Sequence, residues 1–255
     1  MKRFILFILL VFLPVLSFAG TSFIINSFSN FGEGGGCVTP DNGNELDEGF
    51  GNPTDNTWSN SGTTITVGAD LPGTGPTGTW NTCDTGARFQ ADNSTPQKRY
   101  AFGSTIARTK NTTSTLILYI NSASLTAYAL NRLFALNNST TPASNQLYNL
   151  ALAYTTGTTY NLRAIAATTS STINIAVGTY YKVTIFTDGA GAAAGSTLDV
   201  DSWNGSSWVD VGAQTFTRLD AYDVNYVHVG PYDGVGAGES LDMYVGLVSI
   251  NAVTP

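Results

Sequence analysis

TYYKVTIFT (179–187), TLDVDSW (197–203), SWVDV (207–211), NYVHV (225–229) and LDMYVGLVSIN (241–251) close the chain as a series of β-rich runs. Gly- and Asp-rich turns separate them, and no apolar residues recur at helical spacing. In the first run Tyr181, Val183 and Ile185 fall on one face of a strand and Tyr180, Lys182, Thr184 and Phe186 on the other. A run with one apolar and one mixed face is a strand lying over a core, so this part of the chain reads as a β-sandwich.

The pattern continues toward the N-terminus. Strands are expected at 21–31, 45–50, 63–67, 87–90, 98–102, 115–121, 130–136, 147–154, 159–166 and 172–177, with Gly, Asn, Asp and Pro between them. The run Leu116-Ile117-Leu118-Tyr119-Ile120 is apolar on both faces, which places it centrally in a sheet.

Lys2 and Arg3, the apolar run 4–11, Pro14 and the small-residue site Ser17-Phe18-Ala19 have the order of a secretory signal peptide spanning 1–19. The stretch 4–19 is too short for a membrane span, which needs about 20 apolar residues. Export to the extracellular space or the cell surface is therefore expected, with no span left after cleavage. Residues 20–44 then form an N-terminal strand and a loop holding Gly34-Gly35-Gly36, and 45–255 form the sandwich domain. Cys37 and Cys83 are the two cysteines of the chain. In an oxidising compartment they are expected to pair, which restricts the unfolded state by about 4 kcal/mol in the chain-entropy description.

The full chain carries 11 Lys and Arg against 18 Asp and Glu; without residues 1–19 the basic count falls to 9. This acidic balance argues against nucleic acid and anionic membrane as partners, because phosphate binding depends on clustered Lys and Arg. Only 11% of residues are charged, so Thr, Ser, Asn and Gly must provide the polar surface. Such a surface suits an exported β-protein.

The segments NELDEGF (44–50), LYNLALAY (147–154), INIAVGTYYKVTIF (173–186), STLDVDSWNG (196–205) and VHVGPYD (227–233) with LDMYVGLVSI (241–250) resemble the concanavalin A-like lectin/glucanase superfamily, laminin G-like modules included. That resemblance spans about 45–253 and implies an all-β, antiparallel two-sheet jelly-roll sandwich. It also brings carbohydrate recognition, calcium and glycan cleavage into question as activities, since one fold carries many functions.

Cleavage fails a test of faces. Glu45 and Asp47 share one face of a strand, whereas Glu48 points the other way and position 49 is Gly. Retaining hydrolysis needs two carboxyls about 5 to 5.5 Å apart. The reading is therefore an exposed acidic first strand and no catalytic residue. Asp199 and Asp201 share a face and are the candidates for a Ca²⁺ site, although calcium requires six to eight oxygens. A Cys/His zinc site is excluded by two Cys and one His, and His228 faces away from Val227 and Val229, toward a surface or groove.

Trp203 and Trp208 flank the turn Asn204-Gly205-Ser206-Ser207, and Asn-Gly between strands marks a hairpin. Rings there could stack on sugars while Asp201 and Asn204 accept hydroxyl hydrogen bonds, so Trp203, Asn204, Trp208 and Asp201 are the ligand-site candidates. The alternative is that both Trp are core. Trp58, Trp80, Tyr222, Tyr226 and Tyr232 are lesser aromatic candidates. The expectation is a secreted, non-catalytic module that binds a glycan, such as a cell-surface polysaccharide, or makes surface interactions. A structural fibre subunit associating through Thr21–Phe31 is one alternative; a polysaccharide hydrolase or lyase is another.

Overall fold

The computed structural model describes residues 43–50, 57–61, 65–76, 85–126, 130–142, 144–156, 159–191, 195–233 and 235–255. The expected signal peptide, the strand 21–31, the Gly-rich loop, Trp80 and both cysteines lie outside them. Within the described residues the chain is all-β, with fifteen strands and no helix, hence none long and apolar enough to cross a membrane. They are β1 (Leu46–Glu48), β2 (Ser59–Ser61), β3 (Ile65–Asp70), β4 (Thr85–Asp92), β5 (Gln97–Ile106), β6 (Asn111–Ser124), β7 (Leu130–Asn137) and β8 (Gln146–Thr156). The remainder are β9 (Thr159–Ile165), β10 (Ile173–Ile175), β11 (Tyr180–Thr187), β12 (Ser196–Trp203), β13 (Trp208–Phe216), β14 (Val224–Asp233) and β15 (Ser240–Val253).

Two antiparallel sheets form a jelly-roll sandwich. The first runs β13-β12-β11-β6-β15-β4-β3, with β1 also paired to β15; the second runs β10-β9-β8-β7-β14-β5-β2. The 14-residue β15 pairs with β6 from Ser240↔Ser124 to Val253↔Asn111. Its other edge is shared, β4 taking 240–245 and β1 taking 248–250. Each strand expected within the described residues is present, although the ends move: β13 continues to Phe216 and β6 begins at Asn111. Only β2 was not anticipated, because Ser59-Asn60-Ser61 has no apolar alternation to announce it.

Alternation decides what lies inside. Val183 and Ile185, Leu198 and Val200, Leu116, Leu118 and Ile120 from the first sheet meet Leu150, Leu152, Leu162, Val227 and Val229 from the second in one core. Each such side chain contributes about 1.5 to 3 kcal/mol by leaving water. Buried tyrosines tie the sheets together: Tyr148 on β8 donates to Ser114 Oγ on β6, and Tyr160 on β9 donates to the Ala123 carbonyl at 2.6 Å. Burial pushes both phenols above their ordinary range. Gly230 in β14 has φ near +110, and a Cβ there would lie 2.6 Å from the Phe89 ring and the Pro96 carbonyl, so only glycine fits where β14 crosses the first sheet.

The first strand departs from expectation. Glu45 is exposed, but Glu48 is fully buried, so β1 is not an exposed acidic strand. The Glu48 carboxylate accepts hydrogen bonds from Phe50 N at 2.7 Å and Trp58 Nε1 at 2.9 Å. Lys98 is buried on the core face of β5, opposite Val229, and donates to Asn60 Oδ1 at 2.9 Å. Burial lowers the Lys98 pKa, and the negative field of Glu48 opposes that fall. Trp58 therefore packs against the core, its ring tilted between those of Phe50 and Tyr100.

Candidate functional site

The hairpin forms as expected. Gly205 takes a φ near +97 in the Asn204–Ser207 turn, and Trp203 pairs with Trp208. Both Trp sit on the outer face of the first sheet, half-buried in a second apolar cluster with Ile117, Tyr180, Tyr119, Leu71 and Leu247. Their rings meet edge to face at 5.4 Å, and the Lys182 ammonium lies 5.6 Å from the Trp208 ring. Lys182 also pairs with Asp201 at 2.6 Å. Asn204 spends its side-chain oxygen within the turn, accepting from Ser206 N at 3.0 Å, Ser206 Oγ at 3.0 Å and Ser207 N at 2.9 Å. Trp203, Trp208 and Asp201 thus come together; the Asp201 carboxylate and the Asn204 oxygen are occupied by neighbours, while the Trp203 indole N–H is buried without a partner.

Asp199 shares the Asp201 face, its backbone opposite Thr184 and Ala213. Among the described residues no three His, Cys, Asp or Glu side chains converge as metal ligands. Asp242, elsewhere on the same outer face, is held by Arg88 at 2.7 and 2.9 Å and by Asn121 at 2.7 Å. These donors keep its carboxyl below the usual range against the opposing cost of burial.

The outer face of the second sheet is built differently. Register aligns its outward residues in rows that cross the strands: Ala101, Tyr226, Asn137 and Gln146; then Arg99, His228, Ala135, Asn149 and Ile165; then Arg132, Ala151 and Arg163; then Leu130, Ala153 and Asn161. Five strands at about 4.8 Å spacing make this strip about 19 Å wide. Alanines and the buried amides of Asn137, Asn149 and Asn161 form the floor, and the half-buried Arg99, Arg132, Arg163 and Tyr226 stand around it. The loop after β7 folds over one end: the carbonyl of Ser139 lies 3.1 Å from His228 Nε2, that of Thr140 accepts from Arg99 at 3.2 Å, and that of Pro142 accepts from Gln146 at 2.9 Å. Between this loop and β2 lies a pocket of about 170 Å³ lined by Ser59, Asn60, Gln97, Arg99, Thr140 and His228.

His228 does face outward, as alternation required, yet the loop leaves it only 1% exposed. The Ser139 carbonyl can only accept, so Nε2 carries a proton; the Gln97 amide lies 3.2 Å from Nδ1. Burial pushes the imidazole pKa down to about 4, so the ring is neutral at pH 7. Beside it the Arg99 guanidinium lies 5.6 Å from the Tyr226 ring. Tyr232 donates to Asn149 Oδ1, and Arg132 pairs with Asp233. Of this strip, sequence reasoning singled out His228, Tyr226 and Tyr232 alone. The strand alternation that placed His228 outside also applies to Arg99, Arg132, Asn149 and Arg163, but only pairing register shows that they are neighbours.

No protein-family model matches the sequence, and no curated protein matches it. Solved structures of similar fold include a carbohydrate esterase from the Shiga toxin-encoding bacteriophage phi24B, at 17% identity over 78% of this chain and 90% of that one, with a TM-score of 0.49. An alginate lyase from Klebsiella pneumoniae matches at 9% identity over 66% of this chain and 81% of that one, TM-score 0.47. The botulinum neurotoxin serotype G binding domain matches at 7% identity over 83% of this chain and 48% of that one, TM-score 0.46. Likeness at this level concerns the arrangement of strands and carries no activity with it.

Proposed function

We propose that this protein is an exported, non-catalytic carbohydrate-recognition module whose glycan lies across β5, β14, β7, β8 and β9 on the outer face of the second sheet. The observation that supports this most is the strip itself: an alanine floor walled by Arg99, Gln97, Tyr226 and Arg163, with a pocket at one end. A sugar chain is recognised by many directional hydrogen bonds and a few apolar contacts, and this is the mixture present. Among the described residues Asp233 is the one carboxylate on the strands of that sheet, so the strip lacks the carboxylate pair of a glycosidase.

Binding to an immobilised glycan panel tests the reading. Wild-type protein should retain at least one glycan, Gln97→Ala and Arg99→Ala should weaken it by at least tenfold with unchanged melting temperature, and Trp208→Ala should leave it intact. Loss on Trp208→Ala alone would move the site to the hairpin, and a panel with no binder would overturn the proposal. One observation favours the structural-subunit reading instead. Among the described residues β13 is a sheet edge with Val209 and Val211 exposed, a surface on which another strand can pair. Sedimentation across a hundredfold concentration range, showing association that Val211→Lys abolishes, would support it.

A further inference from the structure

We infer that the ligand of the second sheet's outer face is an acidic glycan, one bearing carboxylate or sulfate groups, held between Arg132 and Arg163. This rests on the carbohydrate reading of that face and goes beyond it to the chemical class. Charge is sorted between the sheets against the trend of the chain. The strands of the first sheet carry eight acidic side chains (Asp47, Glu48, Asp70, Asp92, Asp199, Asp201, Asp210, Asp242) and two basic ones, Arg88 and Lys182. Those of the second carry four basic residues (Lys98, Arg99, Arg132, Arg163) and a single acid, Asp233. Lys98 points into the core, so three arginines and one aspartate face outward. An otherwise acidic protein has thus placed a positive field over this strip, which would concentrate anions there and repel them from the opposite face.

The arginines are also positioned to receive an anion. Arg132 and Arg163 flank Ala151 on β8, opposite it in register on either side, two strand spacings or about 10 Å apart. The methyl group of Ala151 leaves the space above it to the two guanidinium stems, and Ala151 itself is fully buried. The Nε atoms of both arginines are buried and bind no protein group. Arg132 pairs with Asp233 through Nη1, and Arg163 makes a 3.5 Å contact to Asn161 Oδ1 through Nη2. Each guanidinium therefore keeps donors uncommitted, and a planar fork of donors matches the two oxygens of a carboxylate or sulfate. Asn149 and Asn161, buried on the same face, fix the floor on which the anionic groups would be spaced.

The test titrates the full protein with dextran, dextran sulfate, polygalacturonate and a panel of other neutral polysaccharides, at 50 and 500 mM NaCl. The expected result is binding to a sulfated or uronate polymer, weakened at least tenfold by the higher salt and at least tenfold by Arg163→Gln at low salt. Arg163→Lys should recover part of that loss, and Arg132→Gln should act in the same direction. Circular dichroism and melting temperature confirm folding of each variant. Preference for sulfate over uronate, or the reverse, identifies the source of the anion. Salt-insensitive binding to a neutral polysaccharide, unchanged in Arg163→Gln, would overturn the acidic-ligand inference while leaving carbohydrate recognition intact. Absence of binding to every polymer would remove both.

Discussion

On the outer face of the first sheet both cations are spent on carboxylates, Arg88 on Asp242 and Lys182 on Asp201, and Trp203 packs against Trp208 in an apolar cluster. On the outer face of the second sheet, arginine donors are left over, alanines keep the floor low, and a loop is hydrogen-bonded across one end. The same sandwich thus has one outer face whose cations are all paired with carboxylates and one whose arginines exceed their carboxylate partners. The first face keeps one unpartnered donor, the Trp203 indole N–H, whereas the second keeps unpartnered donors on two cations, Arg132 and Arg163, which is what an anionic ligand needs.

The two sides of β5 offer the strongest way to break this contrast. Lys98 faces the core near Glu48, and Arg99, next in sequence, faces the strip. Lys98→Ala should destabilise by about 2 kcal/mol in urea unfolding, because it removes a buried stem from the core face and leaves Asn60 Oδ1 without its donor. Arg99→Ala should change stability by less than about 0.5 kcal/mol and act on binding instead. Equal stability losses in both would mean that Arg99 is a structural residue and that the strip has no spare capacity.

Acid should separate the faces next. The folded pKa of His228, about 4, lies below its unfolded value near 6.5, so the neutral ring stabilises the fold at neutral pH. That contribution is fully present above about pH 6.5 and is lost as pH falls through 4, up to about 3 kcal/mol in total. Subtracting the stability profile of His228→Gln from that of the wild type should therefore give a difference that shrinks over this window. A flat difference would show that the loop does not hold the imidazole against protonation.

Trp203→Ala probes the opposite face. Its ring is half-buried against Trp208 and the Ile117–Tyr180 cluster, so truncation should cost about 2 kcal/mol, below the range for fully buried aromatics. Glycan binding should be unchanged once folding is verified. A variant that keeps its stability but loses binding would show that the aromatic corner is a contact surface and would reverse the assignment of the two faces.

Period-two alternation made the sandwich legible, since Tyr181, Val183 and Ile185 had to face one way and be covered. It equally showed that Glu45 and Glu48 diverge, but not where each one goes. Glu48 is buried because Trp58 and Phe50 N, ten and two residues downstream, close over it. The strip was illegible for a related reason. Arg99, Arg132 and Arg163 are 33 and 31 residues apart in sequence, and they share a face only through the pairing order β5-β14-β7-β8-β9. Long-range register is set by which strands neighbour one another, and a local pattern does not contain it.

Asn204 supplies the finest discrimination between the faces. Its Oδ1 accepts three hydrogen bonds inside the turn, and the residue is exposed. Asn204→Ala removes the acceptor and should cost about 1 kcal/mol, the net worth of a side-chain bridge that fixes a hairpin loop. Asn204→Asp keeps the acceptor and should cost only a few tenths of that, measured by thermal unfolding at pH 7. Neither change should alter glycan affinity, because an oxygen that already holds Ser206 and Ser207 has no capacity left for a sugar hydroxyl. Should Asn204→Ala leave the melting temperature unchanged and weaken binding tenfold, the turn would not be using that oxygen, and the hairpin would be where the ligand sits.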